Sequence, residues 1–420
     1  MRAVRPRTVA RRRGLSTWSK VVPAQVAVRT LNPIRRIVDR MSAKPPEGKA
    51  LIPLSLGDPT VYGNFKVPDH VLSVMDRELA SYKINGYGHS CGTDEARESV
   101  ARRFGTQRHP LTKEDVVLAS GCSQALDLVF KVLAEPFVHN VVLPRPGFSI
   151  YATILHAMGV ECRFYDLIPD EGWVCDVSHM ESLCDDKTAA ILINNPSNPC
   201  GSVFPRQHVV EIVRLCSKKR IPLISDEIYA DMAFRGHEFV SAAEVSEDVP
   251  ILVVGGLAKQ YMVPGWRIGW VCVHDRNNVF SEVRNGLHDL STLTIHPATP
   301  MQALVKPLLE DTPASYYSQV MDQLEANMNV FKSGIADAPG LKFLTPQGAM
   351  YGMIQVDPAV LGVEDEVEFA KELLKEEAVF VLPGSCFQIP NFVRIVVTPP
   401  REVLEDAAQR ITTFCKRRVA

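Results

Sequence analysis

A lysine that leaves a buried strand through a glycine-flanked turn is held at the mouth of a sheet. Lys259 is placed this way, at the end of Ile251-Leu252-Val253-Val254-Gly255-Gly256-Leu257-Ala258-Lys259 and ahead of Val263-Pro264-Gly265-Trp266-Arg267-Ile268-Gly269. An amine kept there near other cations is a usable nucleophile and base. Asp226 follows another aliphatic strand, and a carboxylate buried at such a point needs a cationic partner or several donors. A protonated pyridine nitrogen is such a partner, and keeping it protonated makes an aromatic ring an electron sink. The rival reading is an aspartate that caps the next helix. Tyr229, three residues on, can donate to a phenolic oxygen of the same ring.

Other residues have the types that would complete such a site. Asn198 lies between Pro196 and Pro199, whose fixed φ angles hold its amide rigidly, either as a second donor to that oxygen or as ordinary turn chemistry. Ser120-Gly121-Cys122-Ser123 opens a helix directly after a strand. Free backbone N–H groups and the helix dipole at Gly121, Cys122 and Ser123 suit a phosphate, although a plain helix cap has the same look. The loop is not of the G-x-x-x-x-G-K-[ST] type, which disfavours a nucleoside triphosphate. Arg267, eight residues past Lys259, supplies a fixed cation for the same anion. Phe148 can stack on a flat ring or pack in a core. Arg394 sits inside the apolar run Phe392-Val393-Arg394-Ile395-Val396-Val397, and an arginine there requires an anion: a substrate carboxylate or a structural salt bridge. Together these parts describe a site for pyridoxal 5'-phosphate.

The elements that must position them repeat one pattern from about residue 115. Short aliphatic strands at Asp115–Ala119, Asn140–Leu143, Ala189–Ile193, Ile221–Ser225 and Ile251–Val254 each run into a distinctive turn. Strands of this kind alternating with helices predict an α/β fold with a mostly parallel sheet covered on both faces. In such sheets ligands bind outside the carboxyl ends of the strands, where all five turns lie. Val209, Ile212, Val213 and Cys216 share one helical face, with Arg214 and Lys218 turned away. After about residue 330 the pattern changes to helices over Asp365–Glu376 and Pro400–Lys416, with short strands near Met350–Gln355, Val379–Leu382 and Val393–Val397. We read residues 73–330 as a large domain. Residues 31–72, with a lone strand at Leu51–Leu56, and 331–420 form a smaller α+β domain built from both chain ends.

Composition narrows the function classes. A chain of 420 residues with 46% hydrophobic and 22% charged content is that of a globular protein too large for one core. The net charge of -2 gives no pull toward nucleic acid or anionic membrane, and no apolar run approaches a membrane span. The ten cysteines include no C-x-x-C pair and the eleven histidines no H-E-x-x-H, so reduced thiols in an intracellular protein and no metal site are expected. Residues 1–30 form a basic extension. Arginines at 2, 5, 7, 11, 12, 13, 29, 35 and 36 precede the first acid, Asp39, which reads as a mitochondrial transit peptide or a basic tail of a cytoplasmic protein.

Asn194–Val203 (NNPSNPCGSV), Ser225–Tyr229 (SDEIY), Gly255–Lys259 with Val263–Gly269, and Arg145–Tyr151 (RPGFSIY) resemble, in order, the motifs of the fold-type I, class I pyridoxal-phosphate aminotransferases, from about Leu31 to the C-terminus. The resemblance implies that Lys259 forms the imine to the cofactor, that Asp226 pairs with its pyridine nitrogen, and that Tyr229 and Asn198 contact its phenolic oxygen. It also implies that Phe148 stacks on the ring, that Gly121, Cys122 and Arg267 hold the phosphate, and that Arg394 takes the substrate α-carboxylate. Gly57 matches a glycine that approaches the substrate. Tyr87 matches a tyrosine that reaches the phosphate from a neighbouring subunit, which implies a homodimer with shared sites. Three departures concern the phosphate end: Gly256 replaces a serine, Cys122 replaces a hydroxyl residue, and Met262 occupies a place usually held by a differently shaped residue. The implied reaction is transamination of an aromatic amino acid, L-tyrosine with 2-oxoglutarate as acceptor. Rivals are an alanine or a broad aromatic and methionine preference, a β-eliminating lyase, and a non-catalytic regulator, for which the N-terminal segment is too short to hold a DNA-binding module. For the second carboxylate of glutamate only Arg35 and Arg36 offer themselves, if their segment folds over the cleft.

Overall fold

A computed structural model describes residues 21–39, 41 and 46–419. Most of the basic extension therefore lies outside the described residues. The central sheet has eight strands: β1 (Val116–Ser120), β2 (Asn140–Arg145), β3 (Glu161–Ile168), β4 (Val174–Cys175), β5 (Thr188–Asn194), β6 (Leu223–Asp226), β7 (Ile251–Gly256) and β8 (Ile268–His274). Their order across the sheet is β1-β8-β7-β6-β5-β2-β3-β4. The five strands β7, β6, β5, β2 and β3 are parallel, the first four of them at the aliphatic runs, while β8 lies antiparallel between β1 and β7, and β4 antiparallel on β3. Neither β3 nor β8 is among the strands read from the sequence. In β8 the whole run Ile268–His274 is buried, but it follows the arginine-bearing turn so closely that the motif hides the strand. In β3 polar and apolar residues alternate, and most of the strand is only half-buried.

Hydrophobic contacts hold the sheet between two helical layers. Val209, Ile212, Val213 and Cys216 of the helix Arg206–Lys219 are buried as the 3,4-spacing predicts, against Ile191, Leu223 and Val253. On the other face Leu126, Val129 and Phe130 of the helix Cys122–Leu133 pack on Leu192, Ile224 and Val254. Each such fully buried aliphatic side chain contributes about 1.5–3 kcal/mol. The register matters for the site: Asn194 pairs across from Asp226, and Asp226 from Val254. Three adjacent strands therefore bring their carboxyl ends to one edge.

A second, antiparallel sheet is formed by β9 (Leu341–Leu344), β10 (Tyr351–Val356), β11 (Leu382–Pro383) and β12 (Phe392–Val396), in the order β9-β10-β12-β11. The helices Glu366–Glu377 and Arg401–Val419 cover it through Phe369, Leu373, Leu404, Ile411 and Phe414. The early strand at Ile52–Pro53 pairs in parallel with Val379–Phe380, and Leu54 O accepts from Val396 N. The chain before the central sheet is thus stitched to the chain after it, bringing Ser55 and Gly57 beside Arg394.

Candidate active site

The carboxyl ends of β5, β6 and β7 face β10 and β12 across a cavity of about 400 Å³. Its lining includes Gly57, Cys122, Ser123, Phe148, Asn198, Asp226, Tyr229, Lys259, Arg267 and Arg394, which brings together ten of the twelve residues singled out by sequence. Gly121 lies one position before Cys122, as N-cap of the helix Cys122–Leu133 at φ 75°. A Cβ there would sit 2.3 Å from an Arg267 nitrogen, so the close approach of the guanidinium to this helix start requires glycine. Tyr87 is outside the cavity, 92% exposed.

Asp226 is the buried anion of the floor, 2% exposed. Its Oδ2 accepts from Tyr151 OH at 2.6 Å, and its Oδ1 from Ile228 N at 3.2 Å and from the Cys122 thiol at 3.7 Å. Burial pushes its pKa up to about 6, against the opposing pull of these three donors. The Cys122 thiol is itself pushed well up, by burial first and then by the Asp226 charge. It remains a neutral donor and does not compete as an anion. Asn194 braces the same corner: its Nδ2 donates to Asp226 O at 3.0 Å and its Oδ1 accepts from Asn198 N at 2.7 Å.

Lys259 reaches across the cavity, with Nζ 2.5 Å from Gly57 O. Arg267, at φ 55°, is held by two carbonyls, Pro264 O and Ser120 O, each at 3.1 Å. No carboxylate pairs with it among the described ion pairs, so its charge remains available beside the helix start. Arg394 forms the opposite wall, 4% exposed. It donates to Asn198 Oδ1 at 2.9 Å and to Ser55 O at 2.7 Å, and lies between the rings of Tyr351 at 4.4 Å and Phe387 at 4.9 Å. Its Nε has no hydrogen-bond partner among the described residues, and none of the described ion pairs includes it. A buried guanidinium so placed is incomplete without an anion. The structural salt bridge that was its rival reading is absent among the described residues.

The helix Pro33–Val38 roofs the cleft. Asn32 caps it by accepting from Ile34 N and Arg35 N, and Ile34, Ile37 and Val38 pack on Leu382, Phe387 and Ile389. Arg35 lines the cavity together with Ile34 and Val38; Arg36 is not among the lining residues. Four cations, Arg35, Lys259, Arg267 and Arg394, face two acids, Asp58 and Asp226. The arrangement is chemically able to hold one anion at the helix start, a cation on Asp226 and a second anion on Arg394.

Residues 49–411 match the family described as aminotransferase class I and II. The chain belongs to this family. It is 43% identical over 402 residues to the tyrosine aminotransferase of Homo sapiens, covering 95% of this chain and 88% of that one. The crystal structure of tyrosine aminotransferase from Leishmania infantum superposes with a TM-score of 0.91 at 36% identity, covering 96% of this chain and all of that one. The alanine aminotransferase of Pyrococcus furiosus superposes with a TM-score of 0.88 at 29% identity, over 94% of this chain and all of the other. The fold is accordingly fold-type I.

In this aminotransferase the sequence reading missed four polar groups of the site. Tyr151 closes the quoted motif RPGFSIY, so its presence was visible but not its contact with Asp226. Asn194 likewise opens a quoted motif. Tyr351 and Ser55 carried no signal: Tyr351 meets Tyr229 hydroxyl to hydroxyl at 2.8 Å across 122 positions of chain. One departure has a steric cause. A Cβ at Gly256 would lie 2.6 Å from Ile268 O, so a serine there would require the β7–β8 pair to shift. Met262 takes φ 58° and is buried, which accommodates its bulk inside the turn after Lys259.

Proposed function

We infer that this aminotransferase uses pyridoxal 5'-phosphate to transaminate an aromatic amino acid, L-tyrosine to 4-hydroxyphenylpyruvate, with 2-oxoglutarate passing to L-glutamate. The observation that carries the reading is the convergence of Lys259, buried Asp226 and Arg394, which has no acidic partner among the described residues, on one cavity. Its residues fit the cofactor: Asp226 takes the protonated ring nitrogen, Gly121, Cys122, Ser123 and Arg267 the phosphate, Phe148 one ring face, and Tyr229 with Asn198 Nδ2 the phenolic oxygen. When bound, the cofactor supplies an imine-forming carbonyl and an electron sink. Asp226 keeps that sink electron-poor by remaining ionised against the ring's positive charge. Arg394 holds the substrate α-carboxylate and so fixes the α-carbon over Lys259. The Lys259 amine would serve as the base that takes the α-proton and then as the acid that returns one. The apolar side chains of Ile34, Val38 and Leu382 along the lining lower the local dielectric and strengthen each of these charge contacts.

The substrate preference rests on the similarity to the tyrosine aminotransferases, and the apolar lining under the roof suits an aromatic side chain. Arg35 is the group we place against the distal carboxylate of glutamate. We also place Tyr87 at the phosphate of a partner subunit, in a homodimer with shared sites, and read residues 31–72 and 331–420 as a smaller domain beside 73–330. The basic extension 1–30 fits a mitochondrial or a cytoplasmic protein equally. The test is a visible absorbance spectrum of protein loaded with pyridoxal phosphate. A long-wavelength band that falls on adding tyrosine alone and returns with 2-oxoglutarate is expected. A band indifferent to tyrosine but responsive to alanine would move the substrate to the second reading, motivated by the likeness to an alanine aminotransferase. Loss of tyrosine amine with no keto-acid dependence would indicate a lyase. Lys259→Ala should bind cofactor without the covalent band and show no multiple turnover.

A further inference from the structure

Tyr351 has no role in the reading above, yet it joins two of its parts. Its hydroxyl lies 2.8 Å from that of Tyr229, and the two rings meet edge to face at 5.6 Å. The Arg394 guanidinium lies over its ring at 4.4 Å. Its oxygen is also confined from the other side, since a Cβ at Gly57 would be 2.8 Å away. Both tyrosines are buried, and both line the cavity. The charged groups facing the pair are Arg394, Asp226 and Lys259, with Cys386 beside Arg394.

Two hydroxyls at this distance share one hydrogen bond, in which one donates and the other accepts. If Tyr229 donates, its only proton is used and it can offer the cavity lone pairs alone. If Tyr351 donates, the Tyr229 proton is free to be given to an oxygen in the cavity. A cation over the face of the Tyr351 ring draws electron density from its oxygen, which favours Tyr351 as the donor. We propose that Tyr351 is a positioning residue that orients the Tyr229 proton toward the cofactor's phenolic oxygen, and that it links this proton to the charge on Arg394. The inference rests on the pyridoxal-phosphate reading and adds one element: the carboxylate-binding arginine and the cofactor-binding tyrosine act through a shared phenol.

The test is a pH titration of the visible band of the loaded protein, without substrate. A donor to the phenolic oxygen stabilises its anionic form, and Tyr351 strengthens that donor. Tyr351→Phe should therefore move the spectral midpoint upward by about 0.5–1 pH unit. Tyr229→Phe should move it further, and the double variant no further than Tyr229→Phe alone, because the effect of Tyr351 passes through Tyr229. Replacing Tyr351 with 3-fluorotyrosine, a stronger donor of nearly the same shape, should move the midpoint downward. A midpoint in Tyr351→Phe equal to wild type, or additive shifts in the double variant, would overturn the inference while leaving the cofactor assignment standing. No band in the loaded wild-type protein would overturn the assignment and the inference with it.

Discussion

The two walls of the cavity are finished to different degrees. On the central-sheet wall the carboxylate and the bracing amide at the strand ends are already partnered within the chain. Asp226 has Tyr151, Ile228 N–H and Cys122, and Asn194 spans Asp226 O and Asn198 N. On the wall built by β10, β12 and the strand before Gly57, neither the Arg394 Nε nor the Ser55 hydroxyl beside it has a hydrogen-bond partner among the described residues. The central-sheet wall is rigid before anything binds, as suits a group that stays. The other wall is left incomplete by one anion, as suits a ligand that comes and goes. The difference is one of reorganisation: a preorganised wall loses little on binding, while an unfinished one gains most of its stability from the ligand.

Substitutions that finish or unfinish a wall should separate the two. The largest effect is expected at Arg394→Gln, which removes the charge that the second wall offers. Truncating a buried charge contact costs about 2–5 kcal/mol, so kcat/KM should fall by about 30- to 5,000-fold, while the absorbance of bound cofactor is retained. Loss of cofactor in this variant would mean that the walls are not separable. Tyr151→Phe acts on the finished wall. It removes one donor to an ionised carboxylate, about 1.5–3 kcal/mol, so cofactor affinity should fall by about 10–100-fold with a smaller change in the KM for tyrosine. Equal affinities in fluorescence titrations of wild type and variant would exclude this role for Tyr151.

The smallest effect on catalysis is expected one residue further on. Glu227 is buried away from the cavity and accepts from Ser225 OH at 2.8 Å, Ser241 OH at 3.0 Å and Ala242 N at 3.2 Å. Burial still pushes its pKa up to about 7. A carboxyl whose folded pKa is raised ionises more readily when unfolded, so its ionisation costs stability as pH rises from its unfolded value near 4.5 to about 7. The stability of wild type relative to Glu227→Gln should therefore fall across that window, by on the order of 3 kcal/mol at most, and level off above it. Urea unfolding at pH 4.5, 6 and 8 measures this; a difference that grows with pH would show that its three donors outweigh burial.

The same contrast governs how much was legible in the sequence. The finished wall is made of strand ends and the turns that follow them, so Asp226, Asn198, Lys259 and Gly121 stand in short motifs whose local spacing reveals them. Four of the five parallel strands were visible as aliphatic runs for the same reason; β3, only half-buried, was not. The second wall is assembled from three distant stretches, Ser55–Gly57, Tyr351 and Arg394, which meet only because Ile52–Pro53 pairs with Val379–Phe380 and β10 pairs with β12. Arg394 could be read as an ion in an apolar strand, but what it lacks could not: the absence of a carboxylate partner is a property of packing. Tyr351 illustrates the limit. An aromatic residue on a buried strand looks like core, and only the register that sets Met353 across from Arg394 puts its hydroxyl at Tyr229.

The roof has a consequence for access. The helix Pro33–Val38 has no fully buried residue and is tied down by a few side chains on Leu382 and Phe387, whereas both sheets beneath it are anchored in extensive cores. Segments with so little burial open at a small fraction of the cost of global unfolding. Opening of this six-residue helix would leave Lys259, Asp226 and Arg394 in register, since none of them lies on it. A bulky planar substrate and a slender dicarboxylate would then share one doorway in alternation, each meeting the same strand-end floor.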